Sequence, residues 1–188
     1  GLPTPRYSTT AKHGLTANEC KRWSGALHWM AKRCRRHQRL DYAVVKISEK
    51  GTIHDAIGRF RSTVTKLQGE LGLPKYSALL IETLGGIHGN IVYVATDEMD
   101  DRLKARCFHA NVDIQPVTKL QGLARGYLLK ERTPQANYKR QHFFLGGRIK
   151  GSHKLEGGGS RVRLSNDLAR DAIEANYIEP FDRENSKR

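Results

Sequence analysis

The sequence predicts an α+β domain built on an antiparallel sheet of about five strands with helices on one face. Three observations predict it. Short β-branched or apolar runs alternate with stretches of helical period. Two of those runs, Tyr76 to Leu84 and Ile87 to Ala95, are separated only by Gly85-Gly86, which reads as a hairpin. The length of 188 residues suits a single core.

The elements follow in order. Residues 1–15 read as a disordered or non-native lead. A helix is expected over 16–39, with Thr16 as N-cap and Glu19 at capping-box spacing. Leu27, Met30, Ala31 and Cys34 recur along it at helical intervals. Tyr42 to Ile47 reads as a buried strand. Residues 54–71 form an amphipathic helix with Ile57, Phe60, Val64, Leu67 and Leu71 on one stripe, stopped by Gly72 and Pro74. The hairpin comes next. Asp97 then caps a short helix through about Phe108, and Val112 to Val117 is a fourth strand. A helix over 119–131 stops before Pro134. Phe143 to Ile149 reads as a last strand, and 151–163 as a basic, Gly-rich stretch. Ser165 caps a closing helix through about Ala175, and 181–188 form a polar tail. The order strand, helix, strand, strand, helix, strand is the split βαβ or ferredoxin-like arrangement. It places one domain over 16–180. That arrangement hosts many functions, so function has to come from the side chains.

Charge narrows the partners. Lys plus Arg number 33 against 19 Asp plus Glu, a formal net charge of +14. Such a surplus points first to nucleic acid and second to anionic membrane. No apolar run approaches the roughly 20 residues that span a bilayer. No helix is both strongly basic and strongly apolar along its faces, so a membrane partner is not expected. Three cysteines without a CxxC pair argue against a thiolate zinc site and against a disulfide framework. With no secretory signal in view, a reduced, cytoplasmic location is expected.

The informative stretch is Ile81 to Val94. Strand alternation places His88 and Asn90 on one face and Gly89 on the other. With the turn at Gly85-Gly86, Glu82 sits almost opposite His88 or Asn90. A carboxylate, an imidazole and an amide oxygen at one point of a sheet suit Mg²⁺ or Mn²⁺ better than zinc. The same residues also suit a strand histidine bonded to a neighbouring carboxylate. A second cluster is Tyr127, Lys130 and Glu131, which share a helix face. A phenol with a cation one turn away suits attack on phosphorus. It equally suits a half-buried tyrosine beside a solvated lysine.

Taken together and in this order, Glu82, His88-Gly89-Asn90 and Tyr127-Leu128-Leu129-Lys130 resemble the motifs of the HUH endonuclease superfamily: rolling-circle replication initiators, mobilisation relaxases and related transposases. The resemblance covers about residues 41–131. Asn90 stands where the superfamily's second histidine is expected, and some viral members carry glutamine there. The resemblance implies that Glu82, His88 and Asn90 hold Mg²⁺ or Mn²⁺, and that Tyr127 is the nucleophile with Lys130 beside it. It implies single-stranded DNA, as an origin or hairpin, as the substrate. A plasmid or phage-like element would be the replicon. No Walker loop is present, so unwinding would fall to a host helicase. The alternative is a catalytically degraded nucleic-acid-binding module, for DNA or RNA, on the same fold. An unrelated RNA-binding sheet would need exposed aromatics, and the obvious one, Tyr93, is expected to face away from His88. Phosphate contacts are expected from Arg33, Arg35, Arg36 and Arg39, and from Lys139, Arg140, Arg148, Lys150 and Lys154.

Overall fold

The computed structural model describes residues 14–47, 52–83, 86–126 and 159–180. Helix α1, Ala17–Arg33, starts at the predicted capping box: the Thr16 hydroxyl accepts from Glu19 N, and Thr16 N donates to the Glu19 carboxylate. It ends at Arg33, six residues earlier than expected. Cys34 caps it in extended backbone, and His37 adopts a positive φ of 69° before the chain enters the sheet. Leu15 is fully buried in the core, so the lead does not extend to residue 15 as expected.

Strand β1 covers Arg39–Ile47, followed by α2, Ile53–Glu70, capped by Thr52. The hairpin strands are β2, Ser77–Glu82, and β3, His88–Ala95. Helix α3, Asp97–Lys104, is capped by the Thr96 hydroxyl rather than by Asp97, because that oxygen accepts from Met99 N. Strand β4 is Ala110–Pro116 and helix α4 is Leu120–Arg125. Strand β5, Val162–Leu164, occupies a stretch read from sequence as a basic Gly-rich loop, and α5 is Asn166–Glu174. The expected strand at 143–149 lies outside the described residues.

The sheet order is β4-β1-β3-β2-β5, with every described pair antiparallel. β1-α2-β2 and β3-α3-β4 are split βαβ units, each with a strand of the other between its own two. This is the predicted ferredoxin-like arrangement, extended by β5 at the β2 edge.

The two crossover helices share one face, as expected. Phe60, Val64 and Leu67 of α2 and Met99 and Leu103 of α3 pack there on Ala43, Val45, Leu79, Ile91 and Tyr93. The other face is covered as well, by α1, α4 and α5: Trp23, Leu27, Met30, Ala124 and Leu168 pack on Leu40, Ala78, Leu80, Val92 and Val94. Burial on both faces explains why Ala78 to Ile81 and Ile91 to Ala95 are unbroken apolar runs rather than alternating ones.

Two polar groups, the buried Gln68 and the partly buried Glu19, tie the layers together. The Gln68 amide donates to Tyr76 O and Val94 O, both at 2.9 Å, so α2 is pinned to the hairpin edge. The Glu19 carboxylate serves the α1 cap and also accepts from Arg161 N at 2.7 Å, which fixes the entry of β5. Gly25 of α1 lies under the end of the chain's described part: a Cβ there would stand 2.2 Å from Tyr177 O. Gly25→Ala is therefore expected to cost at least about 2 kcal/mol, because backbone must move to admit the methyl. Urea unfolding of the variant checks this, and an unchanged midpoint would mean that α1 and the segment after α5 do not pack this closely.

Candidate functional site

The hairpin register builds the site. Glu82 pairs with His88, Leu80 with Asn90, and Lys46 of β1 flanks His88 from the other side. Glu82, His88 and Asn90 therefore project from the α1 face of the sheet. Gly89 points the other way, where a Cβ would lie 2.8 Å from the Ile57 side chain. The glycine between the two polar residues is thus demanded by close packing of α2.

His88 Nε2 lies 3.3 Å from Glu82 Oε1. The Glu82 side chain is 4% exposed and that of His88 is 21% exposed, so the imidazole is the more accessible of the pair. His88 Nδ1 sits 3.3 Å from Gly86 O. With the ring proton on Nδ1, shared with that carbonyl, Nε2 turns a lone pair toward the carboxylate. Two lone pairs at this spacing match neighbouring ligands of one small cation, since ligands at about 2.1 Å in an octahedron lie roughly 3 Å apart. With both ring nitrogens protonated, the contact is a salt bridge instead.

Asn90 differs from expectation. It was expected to offer its amide oxygen to a cation beside Glu82 and His88. Its nitrogen faces them instead: Nδ2 donates to Glu82 Oε1 at 2.9 Å and to Leu80 O at 3.2 Å. Its oxygen accepts from the Tyr42 hydroxyl. Turning the amide over would set three acceptors against one another, and Asn90 is buried, so no water relieves that clash. The residue orients Glu82 and is itself held by Tyr42. Of the expected ligand set, the Glu82–His88 pair fits a divalent cation directly, and Asn90 fits as its support. Among the described residues no three His, Cys, Asp or Glu side chains converge as a metal cluster.

Tyr42 is the residue that sequence reasoning missed. The alternation of Tyr42, Val44 and Lys46 places all three on the site's face. That signal was present, but only the register of β1 on β3 brings Tyr42 to Asn90.

The expected basic residues separate. Arg33, at the end of α1, lies 5.7 Å over the Trp29 ring, and Arg35 and Arg36 are exposed in the turn that follows. Arg39 does not belong with them. Its guanidinium pairs with Asp41 at 2.8 Å, with Asp97, and with Asp100 at 3.5 Å. The sequence shows one acid beside this arginine, Asp41, and the fold brings two more from α3. Tyr127, Lys130, Lys139, Arg140, Arg148, Lys150 and Lys154 lie outside the described residues, as do Glu131 and Tyr138. Helix α4, which precedes Tyr127 in the chain, packs against α1 on the site's face of the sheet, with Trp23 Nε1 donating to Leu123 O at 2.9 Å.

No protein family, curated protein or solved structure matches the chain. Among the described residues no helix is long and apolar enough to cross a membrane.

Proposed function

We propose that the chain is a metal-dependent nicking and joining protein of the HUH type, acting on single-stranded DNA at an origin or hairpin. It would initiate rolling-circle replication or mobilisation of a plasmid or phage-like element. The observation that supports this reading best is the Glu82–His88 pair: a carboxylate and an imidazole 3.3 Å apart on one sheet face, ahead of a Tyr-x-x-Lys segment.

Glu82 and His88 would hold Mg²⁺ or Mn²⁺, which when bound supplies polarisation of a phosphoryl oxygen and neutralises charge. Asn90 would keep the Glu82 carboxylate turned toward His88, and Tyr42 would keep Asn90 in place. The Tyr127 phenol loses its proton and its oxygen attacks phosphorus. The bond to the 3′-oxygen breaks, and that oxygen takes up a proton. The products are a 5′-phosphotyrosine and a free 3′-hydroxyl. Lys130 would stabilise the phenolate. Because the phosphodiester is exchanged rather than hydrolysed, rejoining needs no nucleotide.

A second reading is favoured by one observation, the occupied Asn90 oxygen. A site that has lost its third ligand can survive as a nucleic-acid-binding surface alone. Calorimetric titration with Mn²⁺ separates the two. The wild type is expected to bind Mn²⁺ and Glu82→Gln to lose binding. Asn90→Ala should bind about 10–100-fold more weakly, as for other groups that orient a ligand. Asn90→His should bind more tightly, because its imidazole would supply a third ligand atom where the Asn90 amide turns its nitrogen toward Glu82. If neither the wild type nor Asn90→His takes up Mn²⁺, the binding-only reading replaces the catalytic one.

A further inference from the structure

The opposite side of the domain carries a groove of about 750 Å³ between α2 and the β2–β5 edge, closed at one end by the start of α5. Arg61, Lys66 and Lys75 line it, together with Ser62, Thr65 and Ser165. Arg163 of β5 pairs in register with Leu79, whose side chain belongs to the α2 face, so Arg163 stands beside the same groove.

Among the described residues these cations have no counter-charge. Arg39, Arg102, Lys104 and Arg170 all form ion pairs within the chain. Among the described residues, none of Arg61, Lys66, Lys75 or Arg163 does. Arg61 Nε is buried without a hydrogen-bond partner. Burial, and then repulsion from Arg163, pull the Arg61 guanidinium below the ordinary arginine range. The acid on the groove's lining, Asp167, is paired with Arg170 at 3.3 Å. Arg163, whose Nε donates to Ser160 O at 3.1 Å, adds positive potential at Arg61, and two such cations disfavour each other unless an anion comes near.

The walls suit phosphate as well. The Ser165 hydroxyl donates to Lys75 O and accepts from Ser77 N rather than capping its helix. The first turn of the nine-residue α5 therefore meets the groove without a side-chain cap. Gly58 has open space where a Cβ would stand, and Lys75 lies across Gly69, its Cε 3.2 Å from the position of a Cβ there. The helix surface is thus low at two points, and the nearby cations stand above it.

We propose that this groove binds phosphate groups, with Arg61, Arg163, Lys66 and Lys75 supplying the charge. It is separated from Glu82 and His88 by the sheet itself, so it stands independently of the catalytic reading. The phosphates can belong to a nucleic-acid backbone or to a small phosphate ester, and the test distinguishes these sources. The full chain is compared with Lys66→Glu/Lys75→Glu, both exposed positions, and with Arg163→Ala. One arm measures affinity for a long single-stranded oligonucleotide over a salt series; the other measures thermal stabilisation by inorganic phosphate and by a nucleoside monophosphate. If the backbone binds here, the double variant loses roughly tenfold in affinity and about 1.4 in the slope of log K against log salt. If the source is a small phosphate, DNA binding is unchanged and stabilisation by phosphate is lost in both variants. Unchanged oligonucleotide affinity, salt slope and phosphate response in folded variants overturn the proposal.

Discussion

Tyr127→Phe is expected to abolish a covalent protein–DNA adduct while leaving fold and DNA affinity intact. The substitution removes one oxygen, and that oxygen is the atom proposed to bond to phosphorus. A tyrosine nucleophile leaves a link that survives denaturation, whereas an attacking water leaves none. Wild-type chain is incubated with Mn²⁺ and a pool of single-stranded oligonucleotides, and slower-migrating species are sought on a denaturing gel. The effect is large because nothing else in the proposed step can replace the phenol: losing a nucleophile costs several orders of magnitude, not a few-fold. An adduct that persists in Tyr127→Phe would move the nucleophile, with Tyr138 the next candidate. Cleavage with no adduct in the wild type would contradict the HUH reading itself. Glu82→Gln and Tyr127→Phe should fail differently, the first losing Mn²⁺ binding and the second keeping it.

Asp41→Asn is expected to change the pH dependence of stability by about 3 kcal/mol between pH 4 and pH 7. Asp41 is fully buried on the α2 face, and its carboxyl titrates at about 6. Burial is the main cause; Arg39 opposes it by hydrogen bond and charge, and Asp100 adds to it. Tyr93, Asp100 and Arg39 surround the group, and Tyr93 Oη, Asp41 Oδ2 and Asp100 Oδ1 are buried without hydrogen-bond partners. The folded-state value is raised above the unfolded one, so the sign is fixed. Below about pH 4 both states hold the proton and the group is neutral to stability. Between roughly 4 and 6 the unfolded chain ionises first, so stability falls as pH rises through about 6 and then levels off. A shift of about two units corresponds to about 3 kcal/mol. Asparagine keeps the shape and an oxygen for Arg39 Nε but cannot ionise. Stability of wild type minus that of the variant, from urea unfolding at several pH values, should therefore fall across this window. A difference that stays flat from pH 4 to pH 7 would mean that Asp41 is ionised throughout and fully compensated by Arg39.

Local interactions account for what could be read early. The Thr16–Glu19 box, the α2 stripe and the hairpin each depend on residues a few positions apart, so their signals survive in a linear chain. Strand period placed His88 and Asn90 on one face, and the short turn set Glu82 across from one of them, which the strand register makes His88. The failures have the opposite character. The end of α1 was overrun because Arg35, Arg36, Gln38 and Arg39 are good helix formers, and it is pairing with Ala95 of β3 that draws Arg39 onward into a strand. Strand β5 was missed because three residues carry too little pattern, and its pairing with Ala78 to Leu80 spans more than eighty positions.

The sequence by itself determined the ferredoxin-like order of elements, the basic character of the chain and the placing of Glu82 across from His88 or Asn90. Each of these follows from composition, period or a turn, which are properties of neighbours. Only the tertiary structure decided which charges are free and which way an amide points. Arg39 looked like a phosphate contact until three carboxylates from β1 and α3 closed on it. Asn90 looked like a ligand until Leu80 O and the Tyr42 hydroxyl fixed its nitrogen toward Glu82. The reason is physical: in a buried site the role of a polar group is set by the partners that satisfy it, and those partners come from strands and helices far apart in the chain.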